Sequence, residues 1–176
     1  MTWHCAQRPE TITKVTVVCS NNPLFSRLEK LQDRNVEVCM EVCDSQGVPV
    51  AGVISMGPGH KPTNSFSAVV YRHDGKPRWN EVVKVLLPQD CEDCHIRFTF
   101  THRSRQDKYN PPYAMSFVKL NTDEGTTIAD QDHQLAVYKI GSKVDIKGNP
   151  FYLNMSSHKK GIKDKDYFGL DAIDSK

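Results

Sequence analysis

Long apolar runs are missing from this sequence. Its extended uncharged stretches, such as Val48 to Gly59, are broken by Gly and Pro and fall short of the about 20 apolar residues that a bilayer-spanning helix needs. The start, Met1-Thr2-Trp3-His4-Cys5, lacks the basic opening and apolar stretch of a secretion signal, which makes the reducing cytosol the expected compartment. Net charge is also scarce. The 23 Lys and Arg against 21 Asp and Glu leave a formal +2, too little for nucleic-acid binding by bulk electrostatics. Helical periodicity is almost absent, with one short candidate, Pro23 to Gln32, where Leu24, Leu28 and Leu31 share a helical spacing. The six cysteines (Cys5, Cys19, Cys39, Cys43, Cys91, Cys94) are even in number, but without a secretory context they read as thiols and not as a disulfide framework. What remains, 38% hydrophobic and 25% charged over 176 residues, is the balance of an ordinary folded domain and argues against disorder throughout.

The period that is present is two. Val36, Val38, Met40 and Val42 alternate with Glu37, Cys39, Glu41 and Cys43, the pattern of a strand with one buried face. Runs rich in β-branched and aromatic residues follow the same logic: Ile12 to Cys19, Phe66 to Tyr71, Glu81 to Leu87, His95 to Thr101, Ala114 to Leu120, Gln134 to Ile140 and Phe151 to Met155. Turn signals such as Asp44-Ser45-Gln46-Gly47, Asp74-Gly75-Lys76-Pro77 and Gly148-Asn149-Pro150 separate them. The expected fold is all-β, an eight-stranded antiparallel sandwich. It occupies residues 11–155, after an N-terminal extension (1–10) and before a polar tail (156–176) that is expected to be frayed.

If every strand reverses the chain, loops after odd-numbered strands share one end of the sandwich and loops after even-numbered strands share the other. The odd loops hold eleven bases and five acids: Arg27, Lys30, Arg34, Arg72, Lys76, Arg78, Arg103, Arg105, Lys108, Lys143 and Lys147 against Glu29, Asp33, Asp74, Asp107 and Asp145. The even loops hold Lys61 against eight acids, Asp44, Asp90, Glu92, Asp93, Asp123, Glu124, Asp130 and Asp132. The near-neutral total therefore conceals a molecule with opposite charge at its two ends. A basic end suits anionic lipid, a phosphoinositide headgroup or an acidic protein. Nucleic acid fits less well, because no aromatic platform alternates with the bases. Diffuse attraction of about 1 kcal/mol per base gives roughly millimolar binding from three or four side chains, so useful affinity needs charge-assisted contacts or a second tether. Phe25 and Leu28, beside Arg27 and Lys30, are candidates for bilayer insertion; packing on the sandwich is the competing role.

Other motifs weigh less. Cys91-Glu92-Asp93-Cys94-His95 has the haem-attachment pattern and half of a zinc site, but haem attachment needs export, and zinc needs two more ligands that only Cys39 and Cys43 could supply. A turn closing onto a strand accounts for it more simply. The basic end offers mainly Asp33, Asp74 and Asp107, each close to a Lys or Arg, unlike the carboxylate cage that calcium requires. Ser104 beside His102 shows no nucleophile elbow, and no catalytic residue, metal site or cofactor is expected. Trp79 reads as a core plug or loop anchor.

Five ordered stretches resemble a known family: Pro77-Arg78-Trp79-Asn80-Glu81, His95 through Ser104, Ser116 through Leu120, Glu124-Gly125-Thr126-Thr127 and His133 through Lys139. Their order and spacing are similar to the first DOCK homology region, the C2-like domain of the DOCK exchange factors, and His102 through Asp107 resembles the Rac-directed subfamily. The resemblance implies a C2-type sandwich that binds phosphatidylinositol 3,4,5-trisphosphate through its first and third upper loops. Those loops correspond to Asn21 through Arg34 and His102 through Pro112. The implied lipid-binding residues are Arg27, Lys30, Arg34, Lys76, Arg78, Arg103, Arg105 and Lys108. The implied partners are phosphoinositide headgroups of the inner plasma membrane and the remaining domains of a longer exchange factor, with a Rho-family GTPase engaged only indirectly. A cytoplasmic, non-enzymatic module recruited peripherally to the membrane is the resulting expectation. A protein-interaction sandwich that scaffolds the exchange factor without touching lipid is the alternative. The first loop, Phe25 through Leu31, carries fewer bases and more leucines than the family pattern.

Overall fold

The computed structural model describes residues 11–17, 35–72, 74, 79, 81–87, 91, 93–103, 110–121, 128–129, 131–141, 144–158 and 170–172, with 11–17 and 170–172 described by their backbone alone. Nine strands lie among them: β1 (Thr11–Val17), β2 (Val36–Cys43), β3 (Ile54–Ser55), β4 (Ser65–Ser67), β5 (Glu81–Leu87), β6 (His95–His102), β7 (Ala114–Lys119), β8 (Tyr138–Ile140) and β9 (Leu170–Ala172). They form a three-stranded sheet, β1-β5-β3, and a six-stranded sheet, β4-β2-β6-β7-β8-β9. Every pairing is antiparallel.

Alternation dictates how the sheets pack. Val36, Val38, Met40 and Val42 on β2 are buried, as are Val83, Val85 and Leu87 on β5 and Ile96, Phe98 and Phe100 on β6. Both sheets contribute these side chains to one core, which Trp79 fills from a connecting segment. Burying each such side chain is worth about 1.5 to 3 kcal/mol, enough to hold the register against a one-residue slip that would turn every one of them away from this core.

Three expectations need correction. Phe151 to Met155 is not a strand, because Pro150–Asn154 form a 3-10 helix capped by Asn149. Pro150 has no N–H to give a ladder and its fixed φ suits a helical first turn. Second, Ile54–Ser55 form a short strand on β5 that was absent from the expected set. Third, Leu170–Ala172, inside the expected polar tail, pair with β8. The expected strands at 66–71 and 134–140 shorten to β4 and β8. The expected short helix at Pro23 to Gln32 lies outside the described residues.

The 3-10 helix matters because it carries residues 144–155 across the outer face of the six-stranded sheet. There Ile146, Tyr152 and Met155 build a second core with Met115, Phe117, Ala136 and Tyr138. For this reason β6 is buried on both faces over most of its length. Gly47 makes room for the covering segment. Its φ of 73° suits glycine, and a Cβ there would meet the Tyr152 hydroxyl at 3.4 Å.

Candidate site at the Arg103 end of the sandwich

The register of β2 on β6 sets Val36 opposite His102, which brings the end of the first loop against the start of the third. Two hydrogen bonds seal the junction: the Arg103 N–H donates to the Asn35 carbonyl at 2.8 Å, and the Asn35 amide donates to the Arg103 carbonyl at 3.1 Å. Where the third loop returns, the Asn110 amide donates to the His102 carbonyl at 2.8 Å. The loop therefore leaves and re-enters the sheet through fixed backbone.

Arg103 stands at this junction with its side chain 47% exposed, and Glu37 on β2, 14% exposed, receives it. The Arg103 Nε donates to Glu37 Oε2 at 2.7 Å, and Nη2 lies 2.5 Å from the same oxygen. A half-exposed pair of this kind contributes little net stability, about 0 to 1 kcal/mol. Its effect is directional, since one edge of the planar guanidinium is engaged and its orientation is fixed.

An apolar element joins this end. The Ala68 N–H donates to the Val38 carbonyl at 2.9 Å, one residue past the pairing of Ser67 with Cys39, so Val69 follows at the end of β2 where Val36 faces His102. Trp79, fully buried, donates its indole N–H to the Val69 carbonyl at 2.7 Å. Val69 and Tyr71 are nonetheless 58% and 41% exposed.

The remaining candidate binding residues, Arg27, Lys30, Arg34, Lys76, Arg78, Arg105 and Lys108, and the insertion candidates Phe25 and Leu28, lie outside the described residues. One assignment from loop parity fails. Ile146 accepts from Arg97 in mid-sheet, and Lys147 acts electrostatically on Cys39, so this stretch lies across the outer sheet face and not at the Arg103 end. The physical reason is that residues 150–154 turn into a helix and cover the sheet where an eighth strand was expected.

A second polar constellation lies beneath that cover. Arg97 is completely buried. Its Nη2 donates to Glu41 Oε2 at 2.7 Å, and Nη1 donates to the carbonyls of Ile146 at 2.8 Å and Gly47 at 3.2 Å. Tyr152 lies 3.4 Å from Nη1 and 2.8 Å from His95 Nε2. Burial, reinforced by the Arg97 charge, pushes His95 down to about 4, and burial pushes Tyr152 up to about 12. All three groups hold the cover segment closed and face away from solvent, so this is a structural clasp.

Two cysteines differ from expectation. Cys91 and Cys94 are joined in a disulfide, while Cys39 and Cys43 are free thiols as expected, and burial raises the thiol of Cys43 to about 11. Among the described residues no group of three or more His, Cys, Asp or Glu converges as a metal site. No described helix is long and apolar enough to cross a membrane.

Glu37, Asn35 and Asn110 escaped the sequence reading. Glu37 showed only as a polar member of an alternating strand, and its partner lies 66 residues away.

The all-β fold agrees with the comparisons. Residues 13–173 match the model of the C2 domain in Dock180 and Zizimin proteins. Dedicator of cytokinesis protein 4 of Mus musculus is 35% identical over 133 residues, 74% of this chain and 7% of that protein. Dedicator of cytokinesis protein 3 of Homo sapiens is 33% identical over 153 residues, 86% of this chain and 7% of that protein. The chain thus spans about 7% of the length of these relatives. A match over most of its length, carried by an all-β antiparallel fold, places it by descent: the chain belongs to the C2 domain family of the Dock180 and Zizimin proteins.

Proposed function

We propose that this domain reads phosphorylated inositol headgroups, phosphatidylinositol 3,4,5-trisphosphate foremost, at the end of the sandwich that carries Arg103. In doing so it would bring a Rac-directed exchange factor to the inner plasma membrane. The observation that carries the reading is the half-exposed Arg103 guanidinium, oriented by Glu37 on backbone that Asn35 clamps. A charge-assisted phosphate contact gains most when the donor is already held in place. Sequence adds Arg105 and Lys108 to the same loop and Arg27, Lys30 and Arg34 to the loop that ends at Asn35; Lys76 and Arg78 complete the proposed set. Phe25 and Leu28 stay proposed as apolar contacts from the first loop.

Membership of a family found in exchange factors supports the targeting role, with the GTPase served by other domains of the longer protein. The test is calorimetric titration of the chain with the soluble tetraphosphorylated inositol headgroup. Saturable binding that Arg103→Glu weakens at least tenfold supports the reading. No heat and no protection against thermal unfolding would favour the protein-interaction sandwich.

A further inference from the structure

Arg103 gives a headgroup contact but not a tether, and a few bases alone hold an anionic surface only at about millimolar strength. A partner for Arg103 in that task should be apolar, fixed and on the same end. Val69 meets each condition, and Tyr71 follows it two residues on. They are 58% and 41% exposed, well above the buried side chains that flank them at Ala68 and Trp79. The buried Trp79 indole pins the Val69 carbonyl, so the backbone at Val69 cannot simply roll its side chain inward. The Ala68 N–H donates to the carbonyl of Val38, the chain neighbour of Glu37, the residue that receives Arg103, so Val69 follows at this end. Singly exposed apolar residues are ordinary on a protein surface; two of them close in sequence, the first on pinned backbone at the end that carries an oriented cation, are the arrangement that an anionic bilayer interface fits. Aromatic residues with a polar tip, such as Tyr71, suit the headgroup level.

We infer that Val69 and Tyr71 enter the interfacial layer of an anionic membrane when Arg103 meets headgroup phosphate, forming an apolar tether just past the end of β4. This rests on the phosphoinositide reading above and adds to it a membrane-contacting element outside the basic loops. The two contributions separate by salt. Electrostatic attraction is screened as ionic strength rises, whereas apolar insertion is not.

The experiment measures binding of the chain to vesicles of phosphatidylcholine with a few per cent phosphatidylinositol 3,4,5-trisphosphate across a salt series. Val69→Ser with Tyr71→Ser should weaken binding about tenfold at every salt concentration, the loss expected for two half-exposed side chains that no longer enter the layer. Arg103→Glu should instead flatten the salt dependence. A second variant, Val69→Trp, should show fluorescence quenched by lipids brominated high on the acyl chain, beyond any quenching of the unmodified chain. If the unmodified chain binds these vesicles but the double variant matches it within twofold and Trp at position 69 is not quenched, the tether is overturned and the patch belongs to a protein partner. If the double variant lowers the melting temperature, the quenching result decides alone. If the unmodified chain does not bind at all, the phosphoinositide reading falls first and the tether with it.

Discussion

Replacing Glu37 with Gln asks whether the carboxylate that orients Arg103 also competes with the ligand. The carboxylate occupies Nε and Nη2 of Arg103 through one oxygen, at 2.7 and 2.5 Å. A phosphate approaching the other edge of the guanidinium would sit at about 6 Å from Glu37, where each unit of like charge costs roughly 0.7 to 1.4 kcal/mol at an effective dielectric of about 80 to 40. Salt near 0.1 M, with a Debye length of about 10 Å, removes close to half of that. For a phosphate of charge near −2 the net repulsion is about 1 kcal/mol, or a fivefold change in affinity. On the other side, the exposed ion pair is worth about 0 to 1 kcal/mol to the fold, and Gln keeps its shape and one acceptor oxygen. Glu37→Gln should therefore bind headgroup about fivefold tighter with a melting temperature within a few degrees of the parent. Calorimetric titration with the soluble headgroup, paired with thermal unfolding, reads both quantities. Binding weakened fivefold at unchanged stability would refute the competition argument and show that orientation of Arg103 outweighs repulsion.

The other predictions concern the clasp and the ion requirement. Arg97→Leu should cost about 3 to 5 kcal/mol of stability by urea unfolding, since it strands Glu41 and releases the carbonyls of Gly47 and Ile146; a loss under 1 kcal/mol would contradict the clasp. His95 binds its proton at about 4 in the folded chain against an ordinary 6.5, so below 6.5 the unfolded chain takes up a proton that the folded chain refuses. Stability should fall by about 3 kcal/mol between those pH values from this group and then level off, and His95→Gln should flatten that slope in a pH series of urea melts. Vesicle binding should survive a calcium chelator unchanged, because the sequence offers the basic loops few acids, each within two residues of a Lys or Arg, where calcium wants six to eight oxygen ligands; loss of binding on chelation would contradict this.

Much of the sandwich was legible because burial on one face forces a period of two, which β2 and β5 carry in their burial and β6 in its alternating sequence, over seven or eight residues each. Elements of two or three residues carry no readable period, which hid β3 and β9. The second core was hidden for a different reason. Glu41, His95, Arg97 and Cys43 alternate with apolar residues and read as a solvent face, yet Tyr152 and Ile146 cover three of them completely. Sequence pattern marks where polar residues fall, not whether a distant segment supplies their hydrogen bonds. Arg103 was legible as a loop base, whereas its ion pair with Glu37 depends on a strand register set by contacts far apart in the chain.

The central claim is that this end of the sandwich recognises phosphoinositide, and co-sedimentation with vesicles tests it directly. Two vesicle sets at one ionic strength would carry equal surface charge, one from phosphatidylinositol 3,4,5-trisphosphate and the other from phosphatidylserine. The account predicts that the chain sediments with the first set well beyond the second, and that changing Arg103, Arg105 and Lys108 to Glu abolishes the difference while circular dichroism shows the same β-rich fold. Equal sedimentation with both sets, or undiminished phosphoinositide binding by the triple variant, would contradict it.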